Sequence, residues 1–199
     1  IKIHLTKVLI HSMDEQKNPW TTLSSQIVLD NSWIKVYHHD VLNPNGNEGV
    51  YGMVHFKNLA IGIIPIDKDL TTYLVGQYRF PLKQYSWEIP EGGGDLSCRP
   101  IDSAKRELLE ETGIRAENYQ EIVKMHLSNS VSDEKAHVYI ATGLTFHEPS
   151  PEETEELVIK KVTLSEAFKM IVNGEITDSM SVAGLLKVQL LQVQGKLKV

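Results

Sequence analysis

The sequence predicts an α/β or α+β sandwich, in which strands mix with three helices around one core behind a β-rich N-terminal arm. Three observations predict it. Short alternating or β-branched runs recur from residue 25 to residue 162. Three later segments carry helical periodicity or helix-type ends. The chain has 199 residues, 41% hydrophobic and 23% charged, which suits one ordinary domain able to bury a core without disulfides.

Taken in order, Ser25–Leu29, Trp33–Val41 and Val50–Phe56 alternate as half-buried strands do. Asn43-Pro44-Asn45-Gly46-Asn47 between the last two is a hairpin turn. Leu59–Pro65 and Thr71–Gln77 are apolar and β-branched, the pattern of buried strands, joined at Asp67-Lys68-Asp69. Trp87–Pro90 is a short strand ahead of Gly92-Gly93-Gly94, and that glycine run lets backbone approach a ligand closely. Residues 100–112 form a helix with Pro100 at its first position and Gly113 as its C-terminal stop, although Arg99 is a poor cap. Ile122–Leu127 and Ala136–Thr142 form a strand pair, and Leu157–Val162 is a further strand. Thr163-Leu164-Ser165-Glu166 has capping-box form and opens a helix that ends at Asn173-Gly174. The last helix runs from about Asp178 to Val193, with Val182, Leu186, Leu190 and Val193 on one stripe, the expected core face.

These elements suggest three regions: a leader at 1–12 ahead of Met13, an arm at 13–57 suited to dimerisation, and the main domain at 58–199. The leader is not a convincing signal peptide, because Lys7 interrupts its short apolar run. No stretch has the apolar length needed to span a bilayer. Acids outnumber bases 26 to 20, for a net charge of −6. That argues against nucleic-acid polymers and anionic membranes as partners. The single cysteine, Cys98, excludes an internal disulfide framework and a Cys-rich zinc site, and a reducing, cytoplasmic location is the expectation.

The informative stretch runs from Gly92 to Ile114. At about 100° per residue, Glu107, Glu110 and Glu111 share one helix face, with Ile101, Ala104 and Leu108 on a core stripe beside it. Three carboxylates on one face repel, and a hard divalent cation such as Mg²⁺ or Mn²⁺ relieves that repulsion. A charged, solvated helix face explains the triplet equally well on its own. The full spacing decides between them. It reads Gly-x13-Arg-Glu-Leu-x-Glu-Glu-x-Gly-Ile, at Gly92, Arg106, Glu107, Leu108, Glu110, Glu111, Gly113 and Ile114. Even six of these eight positions, at about 6% usage each, match by chance with a probability of order 10⁻⁵ in a chain this long.

This segment resembles the Nudix box of the Nudix hydrolases, which cleave nucleoside diphosphates linked to another moiety. Leu74-Val75-Gly76-Gln77-Tyr78-Arg79 and Trp87-Glu88-Ile89-Pro90-Glu91-Gly92 look like the approach to the box in the ADP-ribose and nucleoside-diphosphate-sugar branch. The resemblance covers roughly residues 20–195. It implies a Nudix-fold α/β/α sandwich with a mixed sheet and an N-terminal β arm, assembled as a homodimer. The implied reaction is Mg²⁺-dependent hydrolysis of the pyrophosphate bond of ADP-ribose or a related nucleoside-diphosphate sugar. The rivals are another diphosphate substrate (a dinucleotide, coenzyme A or an oxidised nucleotide) and a non-catalytic nucleotide sensor.

By the same resemblance, Glu107 and Glu111 are candidate metal ligands, and Glu110 contacts metal or metal-bound water. The backbone carbonyl of Glu91 is a further ligand, and Arg106 pairs with a box glutamate. The attacking water's base comes from a loop after the box, with Glu153 the first candidate and Glu155 the second. Arg79 is placed to meet a phosphate, and Glu88 to bond ribose hydroxyls. Trp33 or Tyr51 in the arm is a candidate to stack on a base, with core packing as the ordinary alternative. Asp133-Glu134 has the ordinary role of a turn. One position departs from the family pattern: Cys98 stands where a supporting glutamate is usual.

Overall fold

The computed structural model describes residues 17–150 and 156–199; the proposed leader and both candidate bases, Glu153 and Glu155, lie outside them. The described chain runs β1 (Thr21–Asp30), β2 (Ile34–Leu42), β3 (Glu48–Phe56), β4 (Asn58–Pro65), β5 (Thr71–Arg79), β6 (Gln84–Glu88) and β7 (Glu91–Asp95). It continues through α1 (Pro100–Thr112), β8 (Ile114–His126), β9 (Lys135–Phe146), β10 (Val158–Thr163), α2 (Leu164–Val172) and α3 (Ser179–Val193).

β1–β3 form an antiparallel meander of their own. Asn43 builds its turn, as its Oδ1 accepts from the N–H groups of Asn45 and Asn47 at 2.9 and 3.1 Å. The body of the molecule has two sheets, β10-β5-β6 and a mixed β7-β4-β9-β8 sheet in which β4 and β9 are parallel. β4 is buried on both sides, and its pleat divides the core. Ile61 and Ile63 face α1 in a cluster with Ala104, Leu108, Ile114 and Tyr139. Ile64 and Ile66 face α2 and α3 in a larger cluster with Leu74, Val138, Leu164, Met170, Leu185 and Val188. Helices therefore cover both faces, the α/β/α sandwich that the resemblance implied.

α1 has the expected bounds. Arg99 occupies its N-cap without a side-chain cap bond, and Gly113 closes it in the left-handed region at φ 68°. Thr163 caps α2, its Oγ1 accepting from Glu166 N–H at 3.1 Å. Four expectations need correction. β8 begins at Ile114, well before the expected Ile122; its first half is polar because it is an edge strand wetted along one side. The strand expected at Trp87–Pro90 is instead Gln84–Glu88, β6, and the glycine run is a strand of its own, β7, paired antiparallel with β4. Most of the stripe expected to bury α3 faces outward: Leu186, Leu190 and Val193 are exposed and only Val182 of the four packs against the core, while Met180, Ser181, Gly184, Leu185 and Val188 are buried. Gly184 decides this orientation. A Cβ there would stand 2.9 Å from both Ile64 Cδ1 and Val138 Cγ1, so its bare backbone lets α3 lie directly on the sheet.

Candidate active site

The chain crosses from one body sheet to the other at the corner between β6 and β7, Glu88-Ile89-Pro90-Glu91. Pro90 has no N–H, and the donors on either side of it, at Ile89 and Glu91, bond outside the ladders. Ile89 N–H donates to Ser181 Oγ of α3 at 2.9 Å. Glu91 N–H donates to Glu111 Oε2 of α1 at 2.9 Å. Pro90 C=O accepts from Ile63 N–H of β4 at 2.8 Å. Three elements thus hold the corner's backbone.

α1 lays its acidic face on the strand that follows. Glu107 and Glu111 are 8% and 2% exposed. Glu107's carboxylate lies over Gly92, where a Cβ would come within 2.4 Å of its carboxyl carbon; only glycine leaves that space. Arg106 braces the arrangement. Its guanidinium donates to Glu107 Oε1 at 2.6 Å, to Gly93 C=O at 2.7 Å and to Glu110 Oε2 at 2.7 Å. The expected i,i+4 pair with Glu110 is therefore present, and Glu110 is the more open of the three glutamates. Burial lowers the Arg106 pKa, but the charge of Glu107 and the bond to Glu110 outweigh it, and the net shift is upward.

A cavity of about 760 Å³ opens in front of the corner. Arg79, Glu88, Glu91 and Gly92 line it, as do Trp33 and Phe56 from the N-terminal sheet. Arg79 donates from Nε to Glu88 Oε1 at 2.9 Å, and from Nη2 to Glu88 Oε2 at 2.6 Å and Glu91 Oε1 at 3.0 Å. Burial opposes its charge, yet Glu88 and then Glu91 hold its pKa above the ordinary value. Glu88 is 2% exposed, which removes the solvent-facing alternative for it. Burial, then the charges of Asp178 and Glu88, push the Glu91 carboxyl well above the usual carboxylate range.

The structure thus gathers Arg79, Glu88, Glu91 and Trp33 at one cavity, with Glu107 against Gly92 and Glu111 on the Glu91 N–H. It places Tyr51 elsewhere, edge-on to Trp20 in the N-terminal sheet with its hydroxyl donating to Ser130 C=O at 2.6 Å. Cys98 is exposed in the turn before α1, its N–H on Asp95 C=O at 3.0 Å. Sequence reasoning missed Asp178. It caps α3 by accepting from Ser181 N–H at 2.8 Å, lines the cavity and stands against Glu91. Its only sequence signal was that of a helix cap.

The donor set fits a hard divalent cation: buried carboxylates on α1, a glycine that makes room for one of them, and a buried Glu91 Oε2 with no hydrogen-bond partner. Among the described residues no three His, Cys, Asp or Glu side chains stand gathered as a metal cluster; here Arg106 and Arg79 hold Glu107, Glu110 and Glu91.

Residues 57–178 match the model of the NUDIX domain. The chain belongs to the Nudix hydrolase family. Residues 20–54 match the nucleoside diphosphate sugar hydrolase N-terminal domain, so the separate meander has its own counterpart. Nudix hydrolases generally use a divalent metal. This Nudix chain is similar to the methanol dehydrogenase activator of Bacillus methanolicus, 32% identical over 89% of this chain and 95% of the relative. It is also similar to the ADP-ribose pyrophosphatases of Mycobacterium tuberculosis (30% identical, 86% of this chain and 84% of the relative) and Bacillus subtilis (29%, 85% and 92%). A crystal structure of an ADP compounds hydrolase shares the fold, with a TM-score of 0.81 at 22% identity, covering 92% of this chain and all of that one.

Proposed function

We propose that this Nudix hydrolase cleaves the pyrophosphate bond of ADP-ribose or a related nucleoside-diphosphate sugar, releasing a nucleoside monophosphate and a sugar phosphate. The observation that carries the reading is the seating of Glu107 and Glu111 against Gly92 and Glu91 at the wall of the cavity. The match to a nucleoside diphosphate sugar hydrolase N-terminal domain supports the substrate class, as do the ADP-ribose pyrophosphatase and GDP-mannose pyrophosphatase relatives.

Mg²⁺ is the proposed cofactor, held by Glu107, Glu110, Glu111 and the Glu91 carbonyl. When bound, it would neutralise diphosphate oxygens and lower the pKa of a water nucleophile. Glu88 and Glu91 fix the plane of the Arg79 guanidinium, so an entering phosphate meets a cation already oriented. Trp33 is 63% exposed at the cavity wall and offers a face for a base. Glu153, or failing it Glu155, takes the proton of the attacking water. Their loop leaves the described chain just beyond Ser150, whose N–H donates to Glu110 C=O at 2.9 Å. That bond anchors the loop's entry on α1 beside the box acids.

The proposed assembly is a homodimer through the N-terminal sheet, whose edge strand β1 is exposed along all ten residues, Leu23, Ile27, Val28 and Leu29 included. The lone cysteine and the nucleotide-sugar chemistry support a cytoplasmic location. The test of function is hydrolysis of ADP-ribose and a panel of nucleoside-diphosphate sugars with Mg²⁺, beside Glu111→Gln. Absence of turnover on every pyrophosphate, or full activity in Glu111→Gln, overturns the assignment.

A further inference from the structure

The N-terminal sheet meets the body of the molecule at residues 127–134, the connection from β8 to β9. That loop is closed on itself. Leu127 N–H donates to Glu134 C=O at 3.0 Å, and the N–H groups of Val131 and Ser132 both donate to Ser128 C=O at 2.9 Å. Strand β3 docks on it: Val54 N–H donates to Val131 C=O at 2.8 Å, and Asp133 N–H returns to Val54 C=O at 3.3 Å. Asp133's side chain completes the contact. Its Oδ1 accepts from Phe56 N–H at 3.0 Å, and its Oδ2 lies 2.6 Å from His55 Nδ1. Partial burial opposes the Asp133 charge, but the bonds from His55 and Phe56 outweigh it and lower its pKa.

The residues on either side of this contact line the cavity. Leu127, Ser128 and Glu134 come from the loop, and Phe56 and Trp33 from the N-terminal sheet. Trp33 C=O accepts from Lys57 N–H at 3.0 Å, so the backbone that carries Trp33 is tied to the chain just beyond β3. A β-hairpin connection has no intrinsic need for a carboxylate that reaches back to a strand 77 residues earlier. Such a bond earns its place by holding two walls in register.

We propose that Asp133 is a positioning residue for the substrate: by tying β3 to the 127–134 loop it sets the separation of two walls of the cleft, and with it the cleft's affinity for a nucleoside-diphosphate ligand, without touching the bond that breaks. This rests on the cavity being the substrate site. The ordinary turn role expected of Asp133 is thereby replaced by a link between the N-terminal sheet and the cleft.

The experiment compares Asp133→Ala, Asp133→Asn and His55→Ala with wild type. The dissociation constant of the non-hydrolysable α,β-methylene analogue of ADP-ribose is measured by calorimetry with Mg²⁺, and KM and kcat by ADP-ribose hydrolysis. Asp133→Ala raises the dissociation constant and KM by up to about tenfold with kcat within about twofold: without the tie, binding must bring the two walls back into register, and that cost is at most about the free energy of one good hydrogen bond. Asp133→Asn restores most of the affinity, because its side-chain oxygen still accepts from Phe56 N–H. His55→Ala gives a smaller rise in the same direction, and none when added to Asp133→Ala. Unchanged analogue affinity in folded Asp133→Ala overturns the proposal, as does a fall in kcat alone or an Asn variant as poor as Ala. If Asp133→Ala fails to fold at the assay temperature, His55→Ala decides: raised values support the link and unchanged values overturn it. The analogue needs no turnover, so this outcome stands apart from whether wild type hydrolyses ADP-ribose.

Discussion

Gly92→Ala isolates the geometry of the site from the stability of the fold. The added Cβ would stand 2.4 Å from Glu107 Cδ and 2.5 and 2.6 Å from its two oxygens. Carbon atoms pack at about 3.5–4.0 Å, so the carboxylate must retreat by about 1 Å. The group that moves is the end of a flexible side chain, which keeps the cost to folding near 1 to 2 kcal/mol at most. The same movement pulls Glu107 from its 2.6 Å contact with Arg106, which also braces Gly93 C=O. A misplacement of about 1 Å in a catalytic group costs about 10²-fold in rate. The expected protein is therefore folded and about 100-fold slower in kcat/KM. Calorimetric melting gives the first quantity, and ADP-ribose hydrolysis over a Mg²⁺ titration gives the second. Gly93→Ala is the stability control, since its Cβ finds nothing nearer than Asn58 Nδ2 at 3.7 Å. Wild-type kcat/KM in folded Gly92→Ala would refute the reasoning, because Glu107 would then have no need of its position over β7.

Three further outcomes can be measured. Gly184→Ala forces a Cβ to 2.9 Å from Ile64 and Val138; despite better helix propensity it loses about 1 to 2 kcal/mol in urea unfolding, and a stabilised variant contradicts the packing of α3. Ser181→Ala leaves the buried Ile89 N–H without its acceptor and costs about 1 to 3 kcal/mol; an unchanged urea midpoint contradicts the role given to that bond. Glu91→Gln tests the direction of the Glu91 shift: burial, Asp178 and Glu88 raise its pKa, so the folded state binds that proton more tightly than the unfolded chain. The stability it contributes is present below the ordinary carboxylate range and is lost as pH rises through the raised value. The melting temperature of Glu91→Gln relative to wild type therefore rises from pH 4 to pH 8, and a pH-independent difference contradicts the shift.

What could be read from sequence followed the range of the forces involved. α1 was legible to the residue because Pro100 and Gly113 act locally, on their own φ angles and hydrogen bonds. The acid pair Glu107 and Glu111 was legible because helical period alone puts both on one face. β8 was half hidden: an edge strand wetted on one side carries Glu117, Asn118 and Gln120 where a buried strand would carry β-branched residues. α3 was read with the wrong face inward because apolar periodicity weighs side-chain size, whereas Ser181 and Gly184 won the inner face by being small. Asp178 was invisible as a site residue, since its meeting with Glu91 depends on where α3 starts relative to β7. The Arg79–Glu88 pair was equally hidden; both residues drew attention singly, but the β5–β6 register sets Arg79 opposite Gln84 and Glu88 opposite Val75, so the reach of the two side chains, which strand pattern does not show, makes the contact.

The Glu88–Glu91 corner joins these threads. A chain segment that passes between two sheets has no ladder to satisfy its donors, and buried donors without partners are costly. Here Ser181 of α3 and Glu111 of α1 satisfy them. Folding both helices onto the sheets is thus the same event that fixes the Glu91 carbonyl, the Glu88 and Glu91 carboxylates and, through them, Arg79. Site geometry and core stability are therefore coupled at this corner and uncoupled at Gly92. There the neighbour is a movable carboxylate, so position can be lost while the fold is kept. Substitutions that unpair Ile89 or Glu91 N–H should lower activity and unfolding free energy together, whereas those that crowd Glu107 should lower activity first.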